Sequence, residues 1–538
     1  MTGQYRLPMF RQTLPTLLLI TATAFAQKPC ASLRDLQLTG ATITSSVIEP
    51  EAAASGRVVP EHCRVQGVAR PTSDSEIHFE LWLPVADKWN GKYQQKGNGG
   101  WAGSITTPAL AEALTRGYAA AATDDGHVAN GGSAAWAIGH PEKLIDFAYR
   151  AVHQTRIQAV AIINAFYGKA PKESYFYGCS DGGREALMEA QRYPEDFDGI
   201  VAGAPANNWS HMMAGMIWNE QALLGKDGSA IPAAKLPAIQ KAALNACDAV
   251  DGVKDGLIED PRACHFNPDV LQCKSGTDTP DCLTAPQLSA LKKLYAGLKD
   301  PNTGKQIFPG FPPGTENRPG GWGLWITPAK PDAAVQFVFG NTYFGQAVHE
   351  QPNWDFHSFT LTDDLALADR KAGWILDSTN PDLRSFRDHH GKLIQFHGWG
   401  DAAISPYNSI AYYESVRDFL TKYPDPRTDT TKSVSDFYRL FMVPGLGHCG
   451  SGAGTTDFGG PMQSSAPSDP RRDVLSALDR WVEEGTAPDS IIAQGTVPDD
   501  ATKKLTRPLC PYPQVAHYKG AGDPFDTASF ECAVPPAK

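Results

Sequence analysis

Short apolar runs alternate with longer amphipathic segments along much of the chain, and this alternation predicts strands connected by helices. Residues 76–84 alternate between polar and apolar side chains, as a half-buried strand does, and the alanine-rich residues 118–123 predict a second strand. Apolar side chains at helical spacing over residues 144–167 predict a long helix. Similar patterns predict strands at 92–95, 174–177, 199–205, 393–396 and 438–443, and helices at 184–191, 383–390 and 473–485. This order of elements favours the α/β class, with a mainly parallel central sheet that is buried on both faces.

The alternation of strands and helices stops between residues 207 and 379. This stretch is rich in proline, glycine, tryptophan and acidic turns, with helical patterns near 231–247 and 286–298. We therefore expect a core domain formed by residues 27–206 and 380–538, interrupted by a large inserted domain, residues 207–379. An insertion at this point lies over the carboxyl edge of the sheet, where ligands bind in such folds, so we interpret it as a lid.

The first 26 residues have the features of an export signal. Arg6 and Arg11 form a basic start, residues 14–24 are mostly apolar, and residues 24–26 form a small-x-small cleavage site. The apolar stretch is too short to span a bilayer, although a retained membrane anchor is the alternative. We expect a secreted or periplasmic protein that has no membrane association once the signal is cleaved.

Composition and charge exclude several classes of partner. The chain has 538 residues, of which 42% are hydrophobic and 10% aromatic, so a packed enzyme is expected rather than a disordered protein. The formal net charge of −11 argues against nucleic acid and anionic membranes as partners. Phosphate-binding loops of the Walker or dinucleotide type are not evident, and we expect no organic cofactor.

Ten cysteines in an exported chain predict disulfides. All ten lie outside the expected signal, so every one is available for pairing. Local proximity favours the pairs Cys247–Cys264, Cys273–Cys282 and Cys510–Cys532, which leaves Cys30, Cys63, Cys179 and Cys449. Spacing alone does not fix this connectivity. A zinc site is the rival interpretation, but the sequence contains no C-x-x-C pair.

A candidate nucleophile lies in the motif G-x-S-x-G at residues 178–182, with Ser180 at its centre. An aromatic run at 174–177 predicts the strand before the motif, and good helix formers at 184–191 predict the helix after it. This strand–turn–helix context is that of a nucleophile elbow, in which a sharp turn exposes the serine hydroxyl. A serine in an ordinary glycine-rich loop is the alternative.

An acid and a base for this serine follow two later strands. Asp401 comes soon after the strand at 393–396, and His448 comes soon after the strand that ends at residue 443. Ser180, Asp401 and His448 are then in the chain order of the catalytic triad of α/β hydrolases. In this interpretation His448 takes the serine proton and Asp401 orients the imidazole. The alternative is that Asp401 and His448 are solvated loop residues.

The cysteines beside the nucleophile and the base strengthen this interpretation. Cys179 precedes Ser180 and Cys449 follows His448, so one disulfide is able to join the two sites across about half of the chain. Three other histidines compete as the base or as pocket residues, but none follows Asp401: His127, His390 and His397.

Two backbone N–H groups are candidates for the oxyanion hole that acyl transfer requires. The N–H group of Asp181, directly after the nucleophile, is the expected first donor. A second donor is expected from the glycine-rich loop at 97–100, where Gly100 is the preferred residue.

These motifs resemble those of the tannase and feruloyl esterase family. The resemblance rests on Cys179-Ser180, Asp401 and His448-Cys449, and on the segments 182–185, 199–205 and 507–513, so it spans nearly the whole mature chain. It implies an α/β-hydrolase fold with a lid, a secreted serine esterase, and a small-molecule ester of an aromatic acid as substrate. The five-disulfide pattern of the family agrees with the three local pairs and adds Cys30–Cys63 and Cys179–Cys449.

A loop at residues 247–257 is a candidate calcium site within the insertion. It holds three carboxylates and two glycines, and hard cations such as Ca²⁺ prefer several oxygen ligands at once. The resemblance implies ligands from the side chains of Asp248, Asp251 and Asp255 and from the carbonyls of Val253 and Leu257. The ion would be structural, since the triad needs no metal. An acidic surface turn is the alternative.

The choice of substrate has the weakest support in the sequence. Residues 308–359 contain eleven aromatic side chains, most of which we expect in the core of the lid, and two cations, Arg318 and Lys330. Trp322 and Ile404 are the candidate pocket residues. The scarcity of charged groups in this stretch favours a feruloyl ester as substrate. The alternatives implied by the resemblance are galloyl esters and a terephthalate monoester. A peptidase or lactonase, and a catalytically silent phenolic-binding protein, are the alternatives from other classes.

Overall fold

The structure is a computed structural model that describes residues 1–3, 27–54, 57–327, 330, 333–424, 433–460 and 469–535. Apart from its first three residues, the expected signal segment lies outside the described residues. Within the described part of the chain, no helix combines the length and the apolar character needed to cross a lipid bilayer.

The strands belong to one large sheet and several small ones. In the described part of the chain they are β1 (Ala41–Glu49), β2 (Ala52–Ala54), β3 (Arg57–Val59), β4 (His62–Ala69), β5 (Ile77–Pro84), β6 (Tyr93–Lys96), β7 (Ala119–Thr123), β8 (Ser174–Cys179), β9 (Gly199–Gly203), β10 (Leu298–Lys299), β11 (Gln306–Phe308), β12 (Lys392–Gly398), β13 (Tyr438–Val443), β14 (Gly454–Asp457), β15 (Ile491–Val497), β16 (Asp500–Leu509), β17 (Val515–Tyr518) and β18 (Phe530–Ala533). Nine of them form the central sheet in the order β1-β4-β5-β7-β6-β8-β9-β12-β13.

The six strands from β7 to β13 in this order run parallel, and β1, β4 and β5 extend the sheet in antiparallel pairs at one edge. The prediction of a mainly parallel sheet is confirmed. Every residue of β7, β8 and β9 is buried, as expected for strands covered on both faces.

Helices cover both faces of this sheet. The α-helices of the described chain are α1 (Thr107–Thr115), α2 (Pro141–Ile145), α3 (Ala151–Tyr167), α4 (Asp181–Arg192), α5 (Trp209–Leu224), α6 (Leu236–Cys247), α7 (Ala285–Ala296), α8 (Trp322–Trp325), α9 (Val335–Thr342), α10 (Asp364–Ala368), α11 (Trp374–Leu376), α12 (Arg384–Asp388), α13 (Pro406–Lys422) and α14 (Val474–Glu484). Side chains of α3, α4 and α13 pack on one face, and those of α1 and α14 pack on the other. The helix predicted over 144–167 is present, but a π-helical segment at 146–150 separates its two α-helical parts.

The described residues between β9 and β12 add no strand to the central sheet. They form α5 to α12 and the short hairpin of β10 and β11. One apolar cluster joins this insertion to the core domain, with Trp209, Met213 and Tyr343 from the insertion, Trp101 from the loop after β6 and Phe147 from the π-helical segment before α3. The insertion therefore packs over the carboxyl edge of the sheet, which is where ligands bind in folds of this type.

Five disulfides account for all ten cysteines, in the pairs Cys30–Cys63, Cys179–Cys449, Cys247–Cys264, Cys273–Cys282 and Cys510–Cys532. Four of them close loops of 9 to 33 residues, whereas Cys179–Cys449 joins residues 270 apart in sequence.

Candidate active site

Ser180 lies on the sharp turn between β8 and α4. Its φ angle is 66°, in the left-handed region that non-glycine residues rarely adopt, so the surrounding structure must hold it there. The turn also needs glycines: a Cβ atom on Gly178 would lie 2.4 Å from the carbonyl oxygen of Gly182, and one on Gly183 would lie 2.3 Å from that of Gly203. The strand–turn–helix geometry of a nucleophile elbow is thus present.

The structure brings Ser180, His448 and Asp401 into one hydrogen-bonded chain. The Nε2 atom of His448 lies 2.8 Å from the Ser180 Oγ atom, and its Nδ1 atom lies 2.8 Å from the Asp401 Oδ2 atom. Asp401 follows β12 and His448 follows β13, so both loops leave the same edge of the sheet. An imidazole between a hydroxyl and a carboxylate is suited to accept the serine proton and to have its charged form stabilised.

The carboxylate of Asp401 is fully buried, but hydrogen-bond donors surround it. Its Oδ1 atom accepts hydrogen bonds from the backbone N–H groups of Ala403 and Ile404, at 2.8 and 2.9 Å. Its Oδ2 atom also lies 3.2 Å from Nε2 of His397. Burial alone would raise the pKa of Asp401, but His448 and His397 outweigh burial and hold it well below its usual range. Asp401 therefore stays ionised.

His397 and His127 do not line the cavity above Ser180. His397 is completely buried and contacts Asp401, and its Nδ1 atom lies 2.7 Å from the hydroxyl of Ser409. His127 stacks on Trp136 with ring centroids 3.7 Å apart, and burial lowers its pKa.

Two residues that line the cavity beside Ser180 have backbone N–H groups without a hydrogen-bond acceptor in the described structure. They are Asp181 and Gly100. Gly100 has a φ angle of 61°, and a Cβ atom there would lie 2.6 Å from the carbonyl oxygen of Gly131, so the loop requires glycine at this position.

The cavity above Ser180 has a volume of about 380 Å³ and a mostly apolar lining. The insertion supplies Trp209, Met212, Met213, Met216, Trp325 and Phe339. Lys96 lines the opposite end, where its ammonium group pairs with Glu112 and lies 4.5 Å above the ring of Tyr177.

Of the two candidate pocket residues, one lines the cavity and the other does not. Ile404 lines the cavity, but Trp322 is 1% exposed and packs against Phe311 and Tyr295 in the core of the insertion. The expectation for Trp322 is corrected to Trp325, which lies three residues later on the same short helix. The ring of Trp325 lies 5.0 Å from that of His448, edge to face. Helical geometry decides which of the two rings reaches the cavity, and the spacing of aromatic residues alone could not separate them.

A buried acidic cluster that the sequence analysis missed lies behind the elbow. Ligand atoms of Asp125, Asp181 and Glu185 all lie within 4.8 Å of one another, so the group is able in principle to hold a metal ion. Arg184 compensates part of the charge through a 2.6 Å contact with Asp181. Burial and the nearby carboxylate of Asp181 raise the pKa of Glu185 to about 8. Glu185 accepts a hydrogen bond from the N–H group of Asn98 and so supports the glycine-rich loop.

In the candidate calcium loop the side chains of Asp248 and Asp255 are buried, and that of Asp251 is half-buried. The Oδ1 atom of Asp248 accepts hydrogen bonds from the N–H groups of Asp255 and Gly256, both at 3.1 Å, and Asp255 also pairs with Arg507. Burial, together with the carboxylates of Asp255 and Asp248, raises the pKa of Asp251 to about 7. The excess of buried oxygen ligands and negative charge fits the chemistry that Ca²⁺ neutralises.

The fold and the site together define a class. A sheet with helices on both faces, an elbow serine and an Asp–His pair at its carboxyl edge are the features of the α/β-hydrolase fold, and the chain is a carboxylic ester hydrolase of that fold. The family model "Tannase and feruloyl esterase" matches residues 63–533. The chain belongs to this family.

Individual relatives cover nearly the whole chain. An uncharacterized esterase of Xanthomonas campestris pv. campestris is 42% identical over 98% of this chain and 94% of its own length. The mono(2-hydroxyethyl) terephthalate hydrolase of Piscinibacter sakaiensis is 33% identical over 90% of this chain and 87% of its own. The solved structure of feruloyl esterase B from Aspergillus oryzae is 29% identical, covers 94% of this chain and 99% of that chain, and superposes with a TM-score of 0.83.

Proposed function

We propose that the chain hydrolyses esters of hydroxycinnamic acids, as a feruloyl-type esterase, through an acyl-serine intermediate on Ser180. The observation that carries this proposal is the apolar cavity directly above the hydroxyl group that His448 contacts. The relatives that support it are named as feruloyl esterases in several fungi.

The proposed reaction has two symmetric halves. His448 accepts the Ser180 proton as the oxygen attacks the ester carbonyl, and Asp401 stabilises the imidazolium that results. The imidazolium then protonates the departing alcohol, which leaves the acyl group on Ser180. Water attacks this ester in the same way and releases the acid. The N–H groups of Asp181 and Gly100 are the proposed donors to the oxyanion in both halves.

The lining of the cavity favours a weakly polar aromatic acyl group. Thioether and aromatic side chains pack well against a ring, a vinyl group and a methoxy group. Among the described residues that line the cavity there is no arginine, and Lys96 is already paired with Glu112. Arg318 is directed away, toward Asp499 and the carbonyl of Gly256. A terephthalate monoester would bury its free carboxylate without a partner, and a galloyl ring would bury three hydroxyl groups, both of which cost free energy.

Three substrates test the acyl preference. We expect kcat/KM for methyl ferulate to exceed that for methyl gallate and for mono(2-hydroxyethyl) terephthalate by at least about tenfold, which corresponds to about 1.4 kcal/mol. The three kcat/KM values are measured with purified enzyme, and the Ser180→Ala variant is the control. A higher value for either of the other two esters would contradict the feruloyl preference and leave the esterase intact. Full activity of Ser180→Ala would contradict the nucleophile.

We also propose that residues 207–379 act as a lid that forms most of the acyl pocket. The support is that every methionine of the cavity, and Trp325 and Phe339, come from this insertion. Met216→Arg should then raise KM for methyl ferulate more than it lowers kcat, and an unchanged KM would argue against this role.

A structural Ca²⁺ in the insertion is proposed from the geometry of its acidic loop. Asp248, Asp251 and Asp255 would hold the ion through their side chains, together with the carbonyls of Val253 and Leu257. The ion would neutralise buried negative charge and link this loop to the strand that carries Arg507.

Metal analysis and thermal unfolding test the calcium proposal. Wild-type protein should contain one Ca²⁺ per chain, and chelation should lower Tm by several degrees. Asp251→Asn should lose the ion, whereas the control Asp281→Asn, an exposed acid of the same insertion, should keep it. A wild-type Tm that chelation does not change would refute a structural ion.

Export to the periplasm or the medium is proposed from the basic-apolar start of the chain. The five disulfides support it, because such bonds persist in oxidising compartments. Cell fractionation that finds the chain in the cytoplasm with its first 26 residues intact would contradict it.

A further inference from the structure

A second cavity, of about 600 Å³, lies where the chain returns from the insertion to the central sheet. It is formed by the C-terminal end of α4 and by residues 369–380. None of the described residues that line it also lines the active-site cavity. Ser180 precedes the N-terminal end of α4, a helix roughly 18 Å long, so the two cavities lie at opposite ends of this helix.

The second cavity is flanked by an indole that faces solvent. The side chain of Trp374 is 63% exposed, and among the described residues no other tryptophan is exposed. Its neighbours on α11, Ile375 and Leu376, are buried, so the short helix is anchored while the ring stays outside. Large exposed aromatic rings beside a cavity are typical of binding surfaces, because a ligand that covers the ring recovers the free energy of its hydration.

Side chains of positive and of negative charge line this cavity, and part of their hydrogen-bonding capacity has no partner among the described residues. The guanidinium of Arg192 lies 4.1 Å above the ring of Tyr149. The carboxylate of Asp369 is 47% exposed and lies 3.3 Å from Nε2 of His211. Asn380 accepts a hydrogen bond from Asp382 through its side-chain oxygen, which leaves its NH₂ group as a donor. Hydrogen-bond donors and acceptors, including groups of opposite charge, therefore line the same cavity as the indole.

We propose that this cavity is a carbohydrate-binding site for neutral sugars of a polysaccharide. The C–H face of a sugar ring packs on the indole of Trp374, and its hydroxyl groups donate to Asp369 and accept from Arg192 and Asn380. A neutral polyol suits this lining, because it offers donors and acceptors to both charges without repulsion from either. A phenolic acid would also stack on the indole, but its carboxylate would face Asp369 and the half-buried Asp377.

The site would keep the enzyme on a polymeric substrate between turnovers. Binding through a second contact raises the effective concentration of the ester near Ser180 without a change in the chemistry there. Sugar binding needs no ester, so its test does not depend on which acyl group Ser180 accepts.

De-esterified arabinoxylan and xylo-oligosaccharides test this proposal, since neither offers an ester to the active site. We expect wild-type protein to sediment with insoluble arabinoxylan and xylohexaose to quench its tryptophan fluorescence. Trp374→Ala should weaken the binding of both carbohydrates by at least tenfold. It should change kcat/KM for methyl ferulate less than twofold. Asp369→Ala should weaken binding as well.

Tyr423→Ala is the matched control, because Tyr423 is an exposed aromatic residue that lines neither cavity. It should bind arabinoxylan as wild type does, and the Tm of each variant reports whether it is folded. Failure of wild-type protein to bind either carbohydrate would overturn the proposal, as would unchanged binding by Trp374→Ala. Binding of free ferulate that depends on Trp374, in the absence of any binding of xylohexaose, would assign the cavity to phenolic acids instead.

Discussion

At the scale of single residues, Asp401 contacts two imidazoles. Its Oδ2 atom lies 2.8 Å from Nδ1 of His448 and 3.2 Å from Nε2 of His397. The second histidine comes from the end of β12 and is itself held by Ser409. Because His397 does not reach the cavity, its effect on catalysis would pass through the position and charge of Asp401, so it is a positioning residue.

Replacement of His397 tests this role. His397→Phe removes a hydrogen-bonding group from a buried carboxylate, which costs about 1.5–3 kcal/mol and predicts a fall in kcat of roughly ten- to hundredfold. KM should change little, because no substrate atom contacts the residue. His389→Ala, at an exposed histidine that precedes β12, should leave both constants unchanged. A wild-type kcat for His397→Phe would show that the two backbone N–H groups suffice to hold Asp401.

At the scale of elements, one disulfide ties the elbow to the loop that carries the base. Cys179 ends β8 and Cys449 follows His448, with Cα atoms 6.0 Å apart. The two loops leave strands that are separated in the sheet by β9 and β12. A small shift of either loop would lengthen the 2.8 Å contact between His448 and Ser180.

Removal of this bond should therefore affect both stability and rate. The double variant Cys179→Ala/Cys449→Ala should lose about 5–6 kcal/mol of stability in the chain-entropy account, because the closed loop is long. It should also lose at least tenfold in kcat at temperatures where it is folded, since misplacement by a fraction of an ångström is costly. The matched control is Cys273→Ala/Cys282→Ala, which opens a short loop in the insertion and should keep kcat. Equal kcat in the two double variants would make Cys179–Cys449 a stability element only.

Sequence patterns located the parallel strands, their helices and β5, but they did not reveal β1 and β4 of the antiparallel edge. The strands at 118–123, 174–177 and 438–443 were evident because they are short, apolar and flanked by turns. By contrast, β1 has only two buried residues among nine, so its pattern resembles that of a loop. Its place in the sheet depends on pairing with β4, which is a tertiary contact.

At the scale of the whole molecule, buried glutamates contribute to how stability depends on pH. Burial raises the pKa of Glu185, Glu220 and Glu259 to about 8 each. In the unfolded chain these groups ionise near their ordinary pKa of 4.5. The folded state therefore binds more protons than the unfolded state between about pH 4.5 and 8, and stability falls as pH rises through this window.

Glu220 offers the clearest test, because burial is the whole cause of its shift. It lies in α5 with 1% exposure, and its Oε1 atom has no hydrogen-bond partner among the described residues. Glu220→Gln should stabilise the protein relative to wild type by about 2–4 kcal/mol more at pH 8 than at pH 5. Thermal or denaturant unfolding at the two pH values measures this difference. The same stability difference at both values would mean that Glu220 is ionised in the folded protein.

The sequence by itself determined the type of chemistry and the order of its parts. The elbow motif, the order of Ser180, Asp401 and His448, and the two flanking cysteines are local signals, because each depends on a turn that directly follows a strand. Tertiary structure decided what surrounds these residues: Trp325 rather than Trp322 in the cavity, His397 on Asp401, and the acidic cluster of Asp125 and Glu185 behind the elbow. Side chains far apart in sequence meet only through packing of the sheet, the helices and the insertion, and no local pattern records which of them meet.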